Sequence, residues 1–202
     1  EFKSETVLAC ELGWRTQFAD RATLSVSTFY NEYDDVRSTD ITAVTILPFY
    51  FANHLEAETY GVELAGSCQV NAGWRLTASY NLLEEHVRIK PGQIDLNAAR
   101  NETADPQQQF AVRSAMNLPH RIEWDAALRW VDRLHNNNAS TPGTVPSYFA
   151  LDVRLGWHFS DRIEVSVTGR NLLDAQHPEY GFPSPTRVEI ERSVHGKITW
   201  RY

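Results

Sequence analysis

The sequence predicts an all-β fold, an antiparallel up-and-down transmembrane β-barrel present as an incomplete wall of about nine strands. Three observations predict it. Apolar and polar residues alternate over runs well beyond the about five or six residues usual in water-soluble strands. The links between runs alternate strictly between short turns and long polar stretches, as in a meander whose turns emerge on one side of a membrane and whose loops emerge on the other. Tryptophans collect on the dry faces close to the short turns, where a membrane interface holds amphipathic rings.

Reading for period two places strands over 4–17, 22–35, 55–70, 74–87, 109–118, 120–132, 148–159, 162–173 and 188–202. In the first, Leu8, Cys10, Leu12 and Trp14 face outward against Ala9, Glu11, Gly13 and Arg15. The third sets Tyr60, Val62, Leu64, Gly66 and Cys68 against Gly61, Glu63, Ala65 and Ser67, and the fourth sets Trp74, Leu76, Ala78 and Tyr80 against Arg75, Thr77 and Ser79. In the sixth, Ile122, Trp124, Leu128 and Trp130 oppose Glu123, Asp125 and Arg129; in the seventh, Leu151, Val153, Leu155 and Trp157 oppose Asp152, Arg154 and His158. The last strand shows the pattern at its fullest, with Val188, Ile190, Val194, Ile198, Trp200 and Tyr202 on one face and Glu189, Glu191, Ser193, His195, Lys197, Thr199 and Arg201 on the other. A strand that crosses an outer membrane needs about 9–11 residues with one dry face.

Phe18 to Arg21, Asn71 to Gly73, Pro119-His120 and Ser160-Asp161 are tight, polar or Pro/Gly-bearing turns. The links near 36–54, 88–108, 133–147 and 174–187 are long and rich in Asn, Pro, Gly and charge. With the turns on the periplasmic side, Trp14, Trp74, Trp157 and Trp200 form one membrane-interface girdle. Tyr30, Tyr80, Trp130 and Phe149 form a second near the long loops. About ten residues at about 3.3 Å rise, tilted near 40°, span roughly the 25 Å apolar band between them. The lumen is then lined by Arg15, Glu63, Arg75, Glu123, Arg129, Asp152, Arg154, Arg170 and Lys197.

Composition agrees. Mean hydropathy is −0.42 and no window approaches the roughly 18 apolar residues of a spanning helix, while in a barrel strand lipid-facing and lumen-facing residues cancel. A net charge of −7 argues against nucleic acid as a partner. The chain opens on Glu1-Phe2 without a signal peptide and its one methionine is Met116, so it reads as a processed chain or a fragment. Cys10 and Cys68, on strands one and three, lie roughly 9.6 Å apart by strand spacing alone, too far for a disulfide, and are expected free on the lipid face.

The residues point to no enzyme and no cofactor. The seven histidines form no HExxH pair, the two cysteines no CxxC, and no glycine loop is built for phosphate. His158 and His195 face inward near acids as solvated lumen histidines, without metal-ligand spacing. The stretch 95–105 is rich in oxygen ligands yet lacks the EF-hand glycine, and reads as a solvated loop. Asn101 and Asn138 match glycosylation acceptors only by chance in a bacterial setting. Ile46-Leu-Pro-Phe-Tyr-Phe51 is an apolar cluster in an expected extracellular loop. Phe49, Tyr50 and Phe51 there form either a ligand-contacting lip or a strand extension above the membrane.

Four segments carry a resemblance: Ala57-Glu-Thr-Tyr-Gly-Val-Glu-Leu64, Leu118-Pro-His-Arg-Ile-Glu-Trp-Asp125, Asn171-Leu-Leu-Asp174, and the closing Glu191 to Tyr202. Together and in this order, the chain resembles the C-terminal barrel of TonB-dependent outer-membrane receptors. The resemblance implies a bacterial outer-membrane transporter that imports a scarce bulky chelate such as a ferric siderophore. Energy would come from TonB through an N-terminal plug. It assigns residues 1–202 to the C-terminal portion of a twenty-two-stranded barrel, with plug and N-terminal strands outside this sequence. It also implies that Ile198, Trp200 and Tyr202 are read by the barrel-assembly machinery, tyrosine replacing the usual terminal phenylalanine. The alternatives are a soluble carbohydrate-binding or structural β-sandwich, whose dry face would be its core, and a passive porin-like barrel.

Overall fold

The computed structural model describes residues 2–41, 49–99, 105–136, 143–180 and 187–202. Its strands are β1 (Thr6–Phe18), β2 (Ala22–Ile41), β3 (Phe49–Asn71), β4 (Trp74–Ile89), β5 (Gln108–Leu118), β6 (Ile122–Val131), β7 (Leu134–Asn136), β8 (Gly143–Val145), β9 (Tyr148–His158), β10 (Ile163–Arg170), β11 (Gln176–His177), β12 (Ile190–Glu191) and β13 (Ser193–Trp200). Nine of them form one antiparallel sheet in chain order, β1-β2-β3-β4-β5-β6-β9-β10-β13. The pairs β7–β8 and β11–β12 are small hairpins within long connections. No helix among the described residues is long and apolar enough to cross a membrane, which says nothing of crossing by strands.

The turns have local causes. Ala19 and Asp20 both take positive φ among the three residues between the paired Phe18 and Ala22, and Arg21 N–H closes the turn on Phe18 O at 3.0 Å. His120 and Arg121 take positive φ behind Pro119, so β6 begins at Ile122 rather than at the expected 120. Asn171, at φ 50, ends β10 three residues before the expected boundary. The last strand is broken at Arg192, whose N–H donates to Ala175 O at 2.9 Å. Beyond that break Ile190, expected on the dry face, lines the opposite one.

The sheet is sheared. One continuous register row runs Trp14, Val26, Leu64, Tyr80, Phe110, Trp130, Phe149. Trp14 lies near the short-turn end of β1, and Phe149 lies at the long-loop end of β9. A row perpendicular to the strands that climbs from one rim to the other is the stagger of a tilted barrel wall. Six strand spacings of about 4.8 Å at about 40° tilt raise it by roughly 18 Å.

The opposite face carries the row Arg15, Ser25, Ala65, Ser79, Ala111, Arg129, Ala150, and a cavity on this face reaches from β1 to β12, which makes it the concave side. The convex side is dry and uncovered: Leu12 and Ile198 are 76% and 74% exposed. No second layer packs on it among the described residues, which overturns the β-sandwich alternative.

Cys10 and Cys68 are free and exposed on the convex side. Their separation is larger than strand spacing alone suggested. Cys10 is level with Tyr60 two strands away, eight residues from Cys68, an offset of roughly 26 Å along the strand.

The polar link expected over 36–54 is largely strand, because the two faces exchange polarity above the Tyr30–Tyr60 pair. Convex residues there are Glu32, Asp34, Glu56, Glu58, His86 and Arg88, with Arg88 bonded to Glu56 at 2.8 Å and Glu58 at 2.6 Å. Lys90 reaches Asp34 and Asp35 at 2.5 and 2.6 Å; these bonds, that to Asp34 first, hold its ammonium above the ordinary lysine range. Concave residues there are apolar: Val36, Leu55, Ala57 and Ala99 form the buried core, flanked by Tyr33, Val87 and Ile89. Residues 90–99 fold over it. Both Asp95 carboxylate oxygens are taken by backbone N–H groups, of Thr39 and Ala99 at 2.8 Å each. Residues 100–104 of the oxygen-rich stretch lie outside the described residues, as do Asn101 and Asn138.

The Tyr-Gly pair at 60–61 has a packing reason. A Cβ on Gly61 would stand 2.1 Å from Leu82 O and 2.7 Å from the ring of its cross-strand partner Phe29. Gly61→Ala is expected to destabilise the full-length protein by about 1–3 kcal/mol, with Gly196→Ala, which meets nothing nearer than 3.9 Å, near neutral. Denaturant titration of the detergent-folded barrel measures both.

Candidate functional site

The concave face separates into two charge clusters at different heights. Toward the short turns, Arg154 donates to Glu123 at 2.8 Å, Asp125 at 3.2 Å and Glu164 at 2.6 Å. Register explains the convergence: Asp125 stands opposite Arg154, Glu123 opposite Gly156, and His158 opposite Glu164 on three adjacent strands. Gly156 clears the path, since a Cβ there would come 2.7 Å from the Arg154 guanidinium. His158 adds a 2.8 Å bond to Glu123, and Arg201 stands 3.7 Å from Glu164. His195 makes no such pairing among the described residues. Arg75 bonds Gln69 at 3.0 Å, and Lys197 shares the register row of Glu123 through Ser166 and Gly156.

The second cluster lies higher and lines a cavity of about 870 Å³. Of the expected lumen residues Arg15, Arg129, Asp152 and Arg170 line it, together with Arg113, which sequence reading passed over. Glu63 is on the same face one row above, opposite Ser27 and Asn81. The rim is a loop that turns inward. Asn171, buried and left-handed, donates its N–H to Asp152 at 3.0 Å and its amide to Ile190 O at 3.0 Å. This sends 171–180 back over the concave face, where the His177 ring stacks on Tyr148 at 4.2 Å. Glu179 pairs with Arg129, whose guanidinium also lies 5.6 Å over the Tyr148 ring. The Asn-Leu-Leu-Asp signal marked the strand end and carried no sign of this fold-back.

The aromatic cluster occupies the first three residues of β3 rather than a loop. Strand alternation therefore splits it: Phe49 and Phe51 stand opposite Ile41 and Thr39, and Tyr50 stands opposite Asp40. All three are exposed, and Phe51 is flanked by Phe2 at 6.3 Å and the Arg37 guanidinium at 5.7 Å. Residues 46–48 lie outside the described residues.

Trp14, Trp74, Trp157 and Trp200 sit near the short-turn ends of β1, β4, β9 and β13, and Trp74 bonds Ser114 Oγ at 3.0 Å. Trp130 and Phe149 pack at 6.4 Å toward the other end. Ile198 and Trp200 pair with Val165 and Ile163, and Tyr202 follows β13. No three metal-ligating side chains converge among the described residues.

Removing Arg154 leaves three carboxylates facing one another. Arg154→Met is expected to cost about 1–3 kcal/mol, and Glu164→Gln, which leaves two acceptors in place, distinctly less. Urea denaturation of the full-length protein measures the difference.

A family model described as TonB dependent receptor-like, beta-barrel matches residues 1–172. The chain is 28% identical over 198 residues to the pesticin receptor of Yersinia enterocolitica, covering 90% of this chain and 26% of that protein. It therefore spans about a quarter of the length of such relatives. Among solved structures, the FrpB iron transporter from Neisseria meningitidis superposes with a TM-score of 0.79 at 14% identity, over 98% of this chain and 32% of that one. The ferric yersiniabactin uptake receptor FyuA from Yersinia pestis does so with 0.68 at 20% identity, over 96% and 29%. A staggered wall with a dry convex side and a charged concave side, matched by that model over most of its length, belongs to the TonB-dependent receptor β-barrel family.

Proposed function

We propose that residues 1–202 form the C-terminal part of the wall of an outer-membrane active-transport receptor, which imports a scarce bulky nutrient such as a ferric siderophore and is energised through TonB by a plug outside this sequence. The observation that carries this is the opposition of the two faces: an uncovered apolar convex side against a concave side on which arginines and carboxylates form rows. The convex side faces outer-membrane lipid. The concave side lines the lumen, where the named charges from Arg15 to Lys197 brace the plug and border the path of the chelate. Relatives described as receptors for pesticin and for ferric yersiniabactin, and as an iron transporter, support a ferric chelate as cargo.

In this reading the four tryptophans anchor the periplasmic interface, and Tyr30, Tyr80, Trp130 and Phe149 anchor the outer one. Phe49, Tyr50 and Phe51 stand above the outer girdle and offer rigid aromatic area to an arriving chelate. Ile198, Trp200 and Tyr202 are the signal for the barrel-assembly machinery. The protein works by binding and passage, with no bond-making chemistry of its own.

The full-length protein is expected to fractionate with outer membranes, to migrate faster unheated than boiled on a detergent gel, and to take up ferric yersiniabactin, the first probe to try, only in cells with functional TonB. Recovery as a soluble monomer that needs no detergent would end the membrane reading. Replacing Phe49, Tyr50 and Phe51 together by Ser is expected to weaken whole-cell binding of the probe by about tenfold or more, leaving the amount of heat-modifiable barrel unchanged. Deleting Tyr202 is expected to do the reverse, lowering the amount of assembled barrel without changing binding per assembled molecule.

A further inference from the structure

We infer that Asp95 is a positioning residue for ligand capture: it closes the segment 90–99 into a strap around the upper β2–β3 ribbon and so holds Phe49, Tyr50 and Phe51 in place. This rests on the reading of those three aromatic residues as a ligand-contacting lip, and adds what fixes the lip.

The ribbon needs support of its own. β1 pairs with β2 no further up than Asp34, and β4 pairs with β3 no further up than Leu55. Beyond those points β2 and β3 continue as a pair to Ile41 and Phe49, with no other strand of the sheet beside them among the described residues. A two-stranded ribbon is only marginally stable in water, and the two register shifts of this pair, on either side of Val36, both fall near its base. Its far end carries the aromatic residues.

Segment 90–99 reaches both open edges of that ribbon. At the β3 edge Lys90 N–H donates to His54 O at 2.8 Å, while the Lys90 ammonium crosses to Asp34 and Asp35 of β2. Pro91 and Gly92, the latter at φ 75, then reverse the chain in a turn that Gln93 N–H closes on Lys90 O at 3.0 Å. Ile94 O passes 3.3 Å from His54 Nδ1, and at the β2 edge Leu96 N–H donates to Thr39 O at 2.8 Å. Thr39 stands opposite Phe51. The strap is thus fastened in the row of the lip itself.

Asp95 makes the fastening. One carboxylate oxygen accepts the N–H of Thr39 and the other the N–H of Ala99, at 2.8 Å each. A single side chain therefore ties the β2 edge to the strap and closes the strap's own last turn, in which Ala98 N–H also reaches Asp95 O at 3.0 Å. Hydrogen bonds to a carboxylate are about twice as strong as neutral ones. Packing supplies less, since Ala99 joins the buried core while the larger Ile94 and Leu96 are exposed. Asp95 acts on the cargo only through the lip.

Whole cells making the full-length receptor are titrated with labelled ferric yersiniabactin, with binding counted per heat-modifiable barrel. Asp95→Ala is expected to weaken binding about tenfold, and Asp95→Asn, which keeps one acceptor oxygen and carries the test if Asp95→Ala does not assemble, about threefold. With Phe49, Tyr50 and Phe51 already replaced by Ser, the Asp95 variants are expected to bring no further loss, because they act through those residues. Equal losses in the two backgrounds, or no loss in the native one, overturn the inference and leave the lip reading standing. A lip replacement without effect removes the lip reading and the inference together. Hydrogen exchange of the purified receptor in detergent needs no cargo: Asp95→Ala is expected to speed exchange over 36–41 and 49–54 by about tenfold and to leave 60–70 unchanged. Unchanged protection over the ribbon overturns the inference, and where wild-type cells bind no ferric yersiniabactin this measurement decides alone.

Discussion

Backbone N–H and C=O groups inside hydrocarbon must find partners within the protein, because no water is there to take them. The rest of this wall depends on that constraint. It demands long strands paired residue for residue, so β1 to β6 and β9 to β10 run in nearly unbroken register. It also demands that the sheet close somewhere, and closure requires tilt and stagger. The row from Trp14 to Phe149 is that stagger made visible: its two aromatic ends occupy opposite rims although they are linked by direct pairing.

Once register is set, chemistry is distributed by parity and by height. Parity puts apolar side chains on the convex side and polar ones on the concave side for as long as lipid is the outer neighbour. Above Tyr30 and Tyr60 the pattern reverses: glutamates and Arg88 turn outward while Leu55, Val36 and Ala57 turn in to form the only sizeable buried cluster among the described residues. The same strands thus carry both patterns, with local irregularities in the β2–β3 ladder where they exchange. The two register shifts in the β2–β3 pair fall within this region, where Asn53 ties the chain with bonds to Asp35 O and to the Lys3 backbone.

Height divides the concave charges by the partners that neighbouring strands supply. Arg154 sits where its two neighbouring strands deliver three carboxylates, Glu123 and Asp125 from β6 and Glu164 from β10, and a glycine leaves its guanidinium room to reach all of them. Arg113 sits where the neighbouring strands deliver Thr77 and Ala127. Identical side chains along one surface therefore differ in their surroundings: Arg154 clasps two neighbouring strands, and Arg113 stands among small neutral residues.

The sequence by itself determined the number and order of the main strands, the alternation of turns and loops, and the face on which the side chains of the regular strands fall, Ile190 beyond the Arg192 break being an exception. These follow from two local rules, the period of two along a strand and the φ preferences of turn residues, and both act within a few residues. Family membership was legible for a related reason, since Tyr60-Gly61 and Asn171 answer to close approach and left-handed backbone that few residues tolerate. What only the tertiary structure decided depends on which residue of one strand meets which residue of another. The stagger, the three partners of Arg154, the overlooked Arg113, the continuation of β2 and β3 past their expected ends, and the fold-back of 171–180 onto Tyr148 all bring together residues far apart in the chain. Alternation constrains parity but leaves the sliding of one strand against the next by steps of two free, and only the packed sheet selects one register.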